Sequence, residues 1–213
     1  AGASRDAAGA LGRESRMRKN VVVISVDDMI DVVRYRDAFG VELHTPAIDA
    51  LMARGVTFEN AFTPSPLCNP ARVAMLTGRS PFATGVYEND GPKIHEVVSP
   101  SETIIGAAHE AGWTTALGGK IFHDVGEKGR VRAWFDPVVD DFPRPVGYGK
   151  AEGAGFPGPL GRAPVPEREF KDAIMADWAA EYLLDADGRG PFLMTVGFHK
   201  PHYTWDVPKK YHK

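Results

Sequence analysis

Apolar residues fall in short blocks separated by glycine- and proline-rich punctuation, and block length separates strands from helices. Val21 to Val26 (VVVISV) is a nearly continuous β-branched run, the pattern of a strand buried on both faces. A helix follows, with Thr45 placed to cap it, Pro46 at its first position and Gly55 as its stop. Ile48, Leu51 and Met52 form its apolar face. Val56 to Phe58 begins another extended piece. Ser99-Pro100-Ser101-Glu102 reads as a capping box opening a third unit that Gly112 closes, and Trp113 to Leu117 reads as a strand. Arg168 to Ala186 keeps helical spacing through Phe170, Ile174, Trp178 and Tyr182, with Gly188 and Gly190 ending it. PFLMTVGF (191 to 198) is a second strand of the buried type. Alternating strands and helices without an internal repeat predict an α/β fold, a mostly parallel sheet flanked by helices on both faces.

The ends and the composition narrow this picture. AGASRDAAGALGRESR, residues 1 to 16, is small, polar and unpatterned, so residues 1–19 read as a flexible tail, and Met17 could serve as the start. The chain has 213 residues, 43% hydrophobic and 25% charged, enough to bury a core. A net charge of -3 favours neither nucleic acid nor an acidic membrane surface. No run approaches the roughly 20 apolar residues that cross a bilayer. Seventeen prolines and 23 glycines imply many loops, densest between Pro137 and Pro166.

In a parallel sheet, ligands bind beyond the carboxyl ends of the strands. The first strand runs into Asp27-Asp28, the Trp113 strand into GGKIFH with Lys120 and His123, and the Phe192 strand into HKPH with His199, Lys200 and His202. Taken singly, each has a plain reading. Paired aspartates serve a turn or a hard divalent cation, and the basic groups serve a solvated loop or a site. Their joint placement at three strand ends favours one site. His44 and His109 read as structural, while His95 and Asn89 lie in a loop that gives them no assignment.

The single cysteine stands in FTPSPLCNPARVAMLTGR, residues 62 to 79. A free cysteine is often just a small buried hydrophobe. Here Pro66 and Pro70 stiffen the loop, and Pro70 suits the first position of a helix through Val73, Met75 and Leu76. Cys68 would then face the positive helix end with Arg72 one turn along, an anion site and a setting for a depressed thiol pKa.

Cys68-Asn69-Pro70-Ala71-Arg72 followed by Leu76-Thr77-Gly78-Arg79 resembles the signature of the type I sulfatases, within the alkaline phosphatase superfamily. In that family C-x-P/A-S/A-R is read by a formylglycine-generating maturation enzyme, which implies that Cys68 becomes an aldehyde. TPAIDALMARGVTFENAF is similar to the family's following helix and strand, and GGKIFH and GFHKPH resemble its iduronate-2-sulfatase-like branch. The resemblance implies Cys68, Arg72, Lys120, His123 and His199 as catalytic; Lys200 and His202, beside them in HKPH, are candidates to touch the substrate's leaving group. It implies Asp27, Asp28 and Cys68 as ligands of calcium, magnesium being equally consistent with oxygen donors. The implied substrate is a small-molecule or carbohydrate sulfate ester. Attack by the hydrated aldehyde on sulfur would be aided by His199 and Lys120 at the leaving oxygen, with His123 the base for sulfate release.

The family's later Asp-His or Asp-Asn metal pair is not found. Residues 20–213 therefore read as the N-terminal part of a sulfatase catalytic domain, either one chain of a processed enzyme or a truncated product, with the missing C-terminal half as partner. The competing readings are a phosphonate monoester or phosphodiester hydrolase, and a non-catalytic fragment.

Overall fold

A computed structural model describes residues 20–123, 161–163, 166–186, 190–203 and 205–211. The expected tail at 1–19, most of the Pro137–Pro166 loop and the helix stop at Gly188 lie outside the described residues. Three parallel strands form the main sheet: β1 (Val21–Val26), β2 (Thr114–Gly119) and, between them, β4 (Phe192–Phe198). A separate parallel pair joins β3 (Gly161–Ala163) to β5 (Asp206–Pro208).

The helices are α1 (Val32–Phe39), α2 (Pro46–Arg54), α3 (Cys68–Thr77), α4 (Pro81–Thr84), α5 (Ile94–Val97), α6 (Ile104–Glu110) and α7 (Lys171–Leu184). Alternation along the strands sends side chains to opposite faces. Leu117 and Leu193 pack with Val73 and Leu76 of α3, Ile94 of α5 and Ile105 of α6. Ala116, Phe192, Met194 and Val196 pack with Met175 and Tyr182 of α7 on the other face. Helices thus cover both faces, as the alternation of elements predicts.

Several expectations need correction. β1 is an edge strand among the described residues, with β4 as its one neighbour, so Val21 and Ile24 are 38% and 55% exposed rather than buried on both faces. Val56 to Phe58 forms no strand. No described strand pairs with it, and Val56 is 83% exposed. Helix α2 ends at Gly55 as expected but buries no residue. Thr45 makes no side-chain cap, because its hydroxyl is engaged with Asp49 and Arg36.

The Ser99/Glu102 pairing is real, Ser99 N–H donating to Glu102 at 2.8 Å. It closes a 3-10 turn, however, and Thr103 caps α6 by accepting from Gly106 N–H at 3.0 Å. Helix α1 has no counterpart in the sequence reading. Asp31 caps it, accepting from Val33 and Arg34 N–H, and Gly40 ends it in the left-handed region.

Two glycines bring the carboxyl ends of β2 and β4 together. A Cβ at Gly119, where φ is +74°, would lie 2.0 Å from Gly197 O, and one at Gly197 would lie 2.1 Å from Lys120 O. Without side chains there, Lys120 N–H donates to Gly197 O at 2.8 Å, extending the ladder by one residue.

Candidate active site

Val26 pairs with Phe198 and Gly119 with Gly197, so the three strands of the main sheet end level. Asp27, Lys120 and His199 therefore leave the sheet at the same edge. Asp27 N–H continues the ladder to Phe198 O at 3.1 Å, and its side chain is 6% exposed. Asp28 takes φ +56°, a conformation that aspartate tolerates in tight turns, and its side chain points outward, half-exposed. The pair thus divides into one buried and one accessible carboxylate.

Asp27 is the hub. Arg72 Nη2 donates to its Oδ1 at 2.8 Å, Lys120 forms an ion pair with its Oδ2, and Cys68 Sγ lies 3.7 Å from Oδ1. Burial alone would push the Asp27 carboxyl up, but Lys120 and Arg72 outweigh it and hold it below the ordinary carboxylate range. Arg72, 5% exposed, also donates through Nη1 to the carbonyls of Lys120 and Ile121. Its guanidinium ties α3, β1 and the loop after β2 into one unit.

Cys68 departs from its expected setting in two ways. It is itself the first residue of α3, with Pro70 two positions further on, where a missing N–H still costs nothing. Asn69 N–H is given to Asn89 Oδ1 at 3.0 Å, so less of the helix end is left for an anion. The thiol pKa is raised rather than depressed, by burial first and then by the Asp27 carboxylate, with Lys120 and Arg72 opposing. At neutral pH residue 68 is a protonated thiol.

The segment after β4 closes the group. His199 and His202 lie ring against ring, centroids 4.7 Å apart, and His202 Nε2 is 3.9 Å from Asp28 Oδ2. Lys200 is partly buried, its Nζ 3.5 Å from His202 O. His123 is partly buried in the loop after β2, three residues beyond Lys120. An open cavity of about 680 Å³ lies on the Cys68 side, walled by Asp27, Asp28, Arg72, Met75, Phe62 and Arg79.

Two positions escaped the sequence reading. Asp172, in the first turn of α7, accepts from His199 N–H at 2.8 Å and Lys200 N–H at 2.7 Å, one oxygen each. Asn69, 1% exposed, donates to the carbonyls of Glu88 and Pro92, locking the cysteine's neighbour in place. An aspartate in a helical first turn and an asparagine inside the signature carry no distinguishing signal in sequence.

Asp172 is expected to act as a positioning residue. In Asp172→Ala the His199 and Lys200 amides lose their acceptors, and their hydrogens are expected to exchange about 10- to 100-fold faster. Asp172→Asn, keeping one acceptor, falls between. Hydrogen exchange read by mass spectrometry, with a thermal midpoint as folding control, checks both.

His199 is held down to about 4, by burial first and then by Lys120, His202 and Lys200. Its folded pKa lies below the ordinary 6.5, so the folded state refuses a proton that the unfolded chain accepts. Stability is therefore full above pH 6.5 and declines as pH falls toward 4, by at most about 3 kcal/mol. Urea midpoints measured across that window should show the decline, flattened in His199→Gln.

Calcium takes about 6–8 oxygen ligands and magnesium a near-octahedral set. The described residues offer the carboxylates of Asp27 and Asp28, and Asp27 already carries two cationic partners. They do not complete either shell.

A parallel α/β sheet whose carboxyl edge gathers a buried carboxylate, a cysteine, an arginine and a lysine defines the class by fold and site. Solved structures share the fold. A phosphonate monoester hydrolase of Agrobacterium radiobacter superposes with TM-score 0.65 at 19% identity, covering 90% of this chain and 43% of that one. A 2-O GAG sulfatase does so with TM-score 0.57 at 26%, covering 87% and 35%. The sulfatase family model matches residues 19–213, and the chain belongs to that family.

Among curated relatives, human iduronate 2-sulfatase is 29% identical over 96% of this chain and 40% of its own length. A sulfatase of Formosa agariphila is 29% identical over 91% and 41%, and the choline-sulfatase of Rhizobium meliloti 28% over 91% and 40%. The chain thus spans about two fifths of the length of these relatives. No described helix is long and apolar enough to cross a membrane.

Proposed function

We propose that the protein hydrolyses sulfate esters through residue 68, with residues 20–213 contributing the N-terminal part of the catalytic domain. The observation that carries this reading is the placement of Cys68 Sγ 3.7 Å from Asp27 Oδ1, within one network with Arg72 and Lys120. A thiol kept protonated is a poor nucleophile, which favours a residue that acts only after oxidation to formylglycine by a maturation enzyme. Hydrated, the aldehyde supplies two hydroxyls on one carbon, one to displace the alcohol from sulfur and the other to expel sulfate.

The chain's own side chains then have defined duties. Asp27 fixes Arg72 and Lys120, whose charges face the site where negative charge grows on sulfuryl and leaving oxygens. His199, neutral at pH 7 in this structure, becomes a proton donor to the departing alcohol once a bound sulfate anion raises its pKa. Lys120 stands beside it for that step. His123 is the proposed base for sulfate release. Lys200 and His202 are the proposed contacts for the substrate's alcohol side. Calcium or magnesium dependence is proposed for the intact protein, with Asp27 and Asp28 as the oxygen donors this chain contributes.

Assay of the intact protein on aryl sulfate and aryl phosphodiester substrates tests the reading. Higher kcat/KM on the sulfate supports it, and a clear preference for the diester overturns it in favour of a phosphonate monoester or phosphodiester hydrolase.

A further inference from the structure

The helix that carries residue 68 begins without a cap of its own. Leu67 occupies the capping position with a side chain that cannot accept a hydrogen bond. Pro70 has no N–H, and Ala71 N–H reaches back to Leu67 O at 3.1 Å. The amides of Cys68 and Asn69 are therefore the ones a cap would serve. Asn69 is 1% exposed, so its N–H is shut off from water and needs a partner within the protein.

That partner stands 20 residues further along the chain, at a position the sequence leaves without assignment. Asn89 Oδ1 accepts from Asn69 N–H at 3.0 Å, the bond that a capping asparagine ordinarily makes within its own helix. A backbone N–H can only donate, which fixes the Asn89 amide with its oxygen toward residue 69. The clasp is made from both sides. Asn69 Nδ2 donates to Glu88 O at 3.1 Å and to Pro92 O at 3.2 Å, so the loop is gripped on either side of Asn89. The loop also holds its own shape, with Gly91 N–H on Glu88 O at 3.2 Å and Lys93 Nζ on Asn89 O at 2.9 Å.

We propose that Asn89 is a positioning residue for residue 68. Standing in for the absent cap, it fixes the first turn of α3 so that residue 68 stays against Asp27. The role rests on the proposed reading of residue 68 as the nucleophile after oxidation. Asn89 acts through the backbone of the next residue and supplies the aim of residue 68, with no contact to substrate. Arg72 ties the same stretch of helix to Asp27 at 2.8 Å. A helix start released at Asn69 would thus shift about an anchor that stays in place, and residue 68 would be misaimed in a folded protein.

The test compares Asn89→Ala and Asn89→Asp with the unsubstituted intact protein, using thermal midpoints to correct for the folded fraction. Aspartate keeps an acceptor oxygen at the same reach and caps as well as asparagine, whereas alanine offers none. Hydrogen exchange at the Asn69 amide is expected to be about 10-fold faster in Asn89→Ala and near the unsubstituted rate in Asn89→Asp. On an aryl sulfate, kcat is expected to fall at least about 10-fold in Asn89→Ala with KM little changed, and to be largely restored in Asn89→Asp. Unchanged exchange at residue 69 in Asn89→Ala overturns the proposal, as does an unchanged kcat after that correction. A kcat loss that Asn89→Asp fails to restore also overturns it, making Asn89 a substrate contact. Exchange needs no turnover, so it decides the capping claim even where sulfate hydrolysis itself fails.

Discussion

Cys68→Ala is expected to lower kcat/KM of the intact protein for sulfate esters by at least about 10,000-fold, the scale on which removing a covalent nucleophile acts. The side chain is only half-buried at the start of α3, and alanine suits that position, so the thermal midpoint should move little. Cys68→Ser sharpens the expectation. A serine hydroxyl can accept the sulfuryl group but has no second hydroxyl on the same carbon to expel it. The variant should release at most one equivalent of alcohol and then stop, with sulfate retained on the protein. Rapid-mix kinetics and the mass of the residue-68 peptide distinguish this from simple inactivity. Continued turnover in either variant would remove residue 68 from the chemistry.

Arg72→Ala should do more damage to the fold than any other substitution at the site. Arg72 and Asp27 are each 6% exposed at the side chain and joined at 2.8 Å. Breaking a buried pair from one side strands a charge, at about 3–5 kcal/mol. For a domain of this size that is on the order of 10 °C in thermal midpoint. The carbonyls of Lys120 and Ile121 lose a donor at the same time, so Lys120 loses its support as well. Arg72→Lys should not rescue, since one ammonium cannot span Asp27 and two carbonyls as the guanidinium fork does. Without Arg72, part of what keeps the Asp27 carboxyl below its ordinary range is gone. A depressed carboxylate gives stability that is present above its unfolded pKa and lost as pH falls through the folded one. The variant should therefore begin losing stability at a higher pH on acidification than the unsubstituted protein, which denaturation midpoints below about pH 4 would register.

What was legible in the sequence was the order of elements and the chemistry at their ends. Strands announced themselves as short apolar blocks, and parallel strands that end level deliver whatever follows them to one edge, so Asp27, Lys120 and His199 could be grouped without coordinates. What depends on distant partners was not legible. The Cys68 thiol is raised by burial first and then by Asp27, which stands 41 residues earlier in the chain yet lies beside it. The local cues, a helix end and a nearby arginine, pointed the other way. Pro70 did not mark the helix start, because the first turn tolerates proline at more than one position. Helix α1 was missed although Asp31 and Gly40 bracket it, since its short polar segment VVRYRDAF buries nothing. Asp172 became significant only when the α7 first turn was seen beneath the HKPH backbone. Val21 and Ile24 read as buried on both faces and Val56 as the start of an extended piece, yet β1 has β4 as its one neighbour among the described residues and no described strand pairs with Val56.

The most direct test joins chemistry to residue 68 in one sample. Protein showing aryl sulfate turnover is digested, and the peptide spanning residues 62 to 79 is weighed. The expected mass is lower than the encoded one, because sulfur has been replaced by oxygen in an aldehyde, whereas ordinary thiol oxidation adds mass. Full turnover by protein whose Cys68 remains entirely an unmodified thiol would contradict the account.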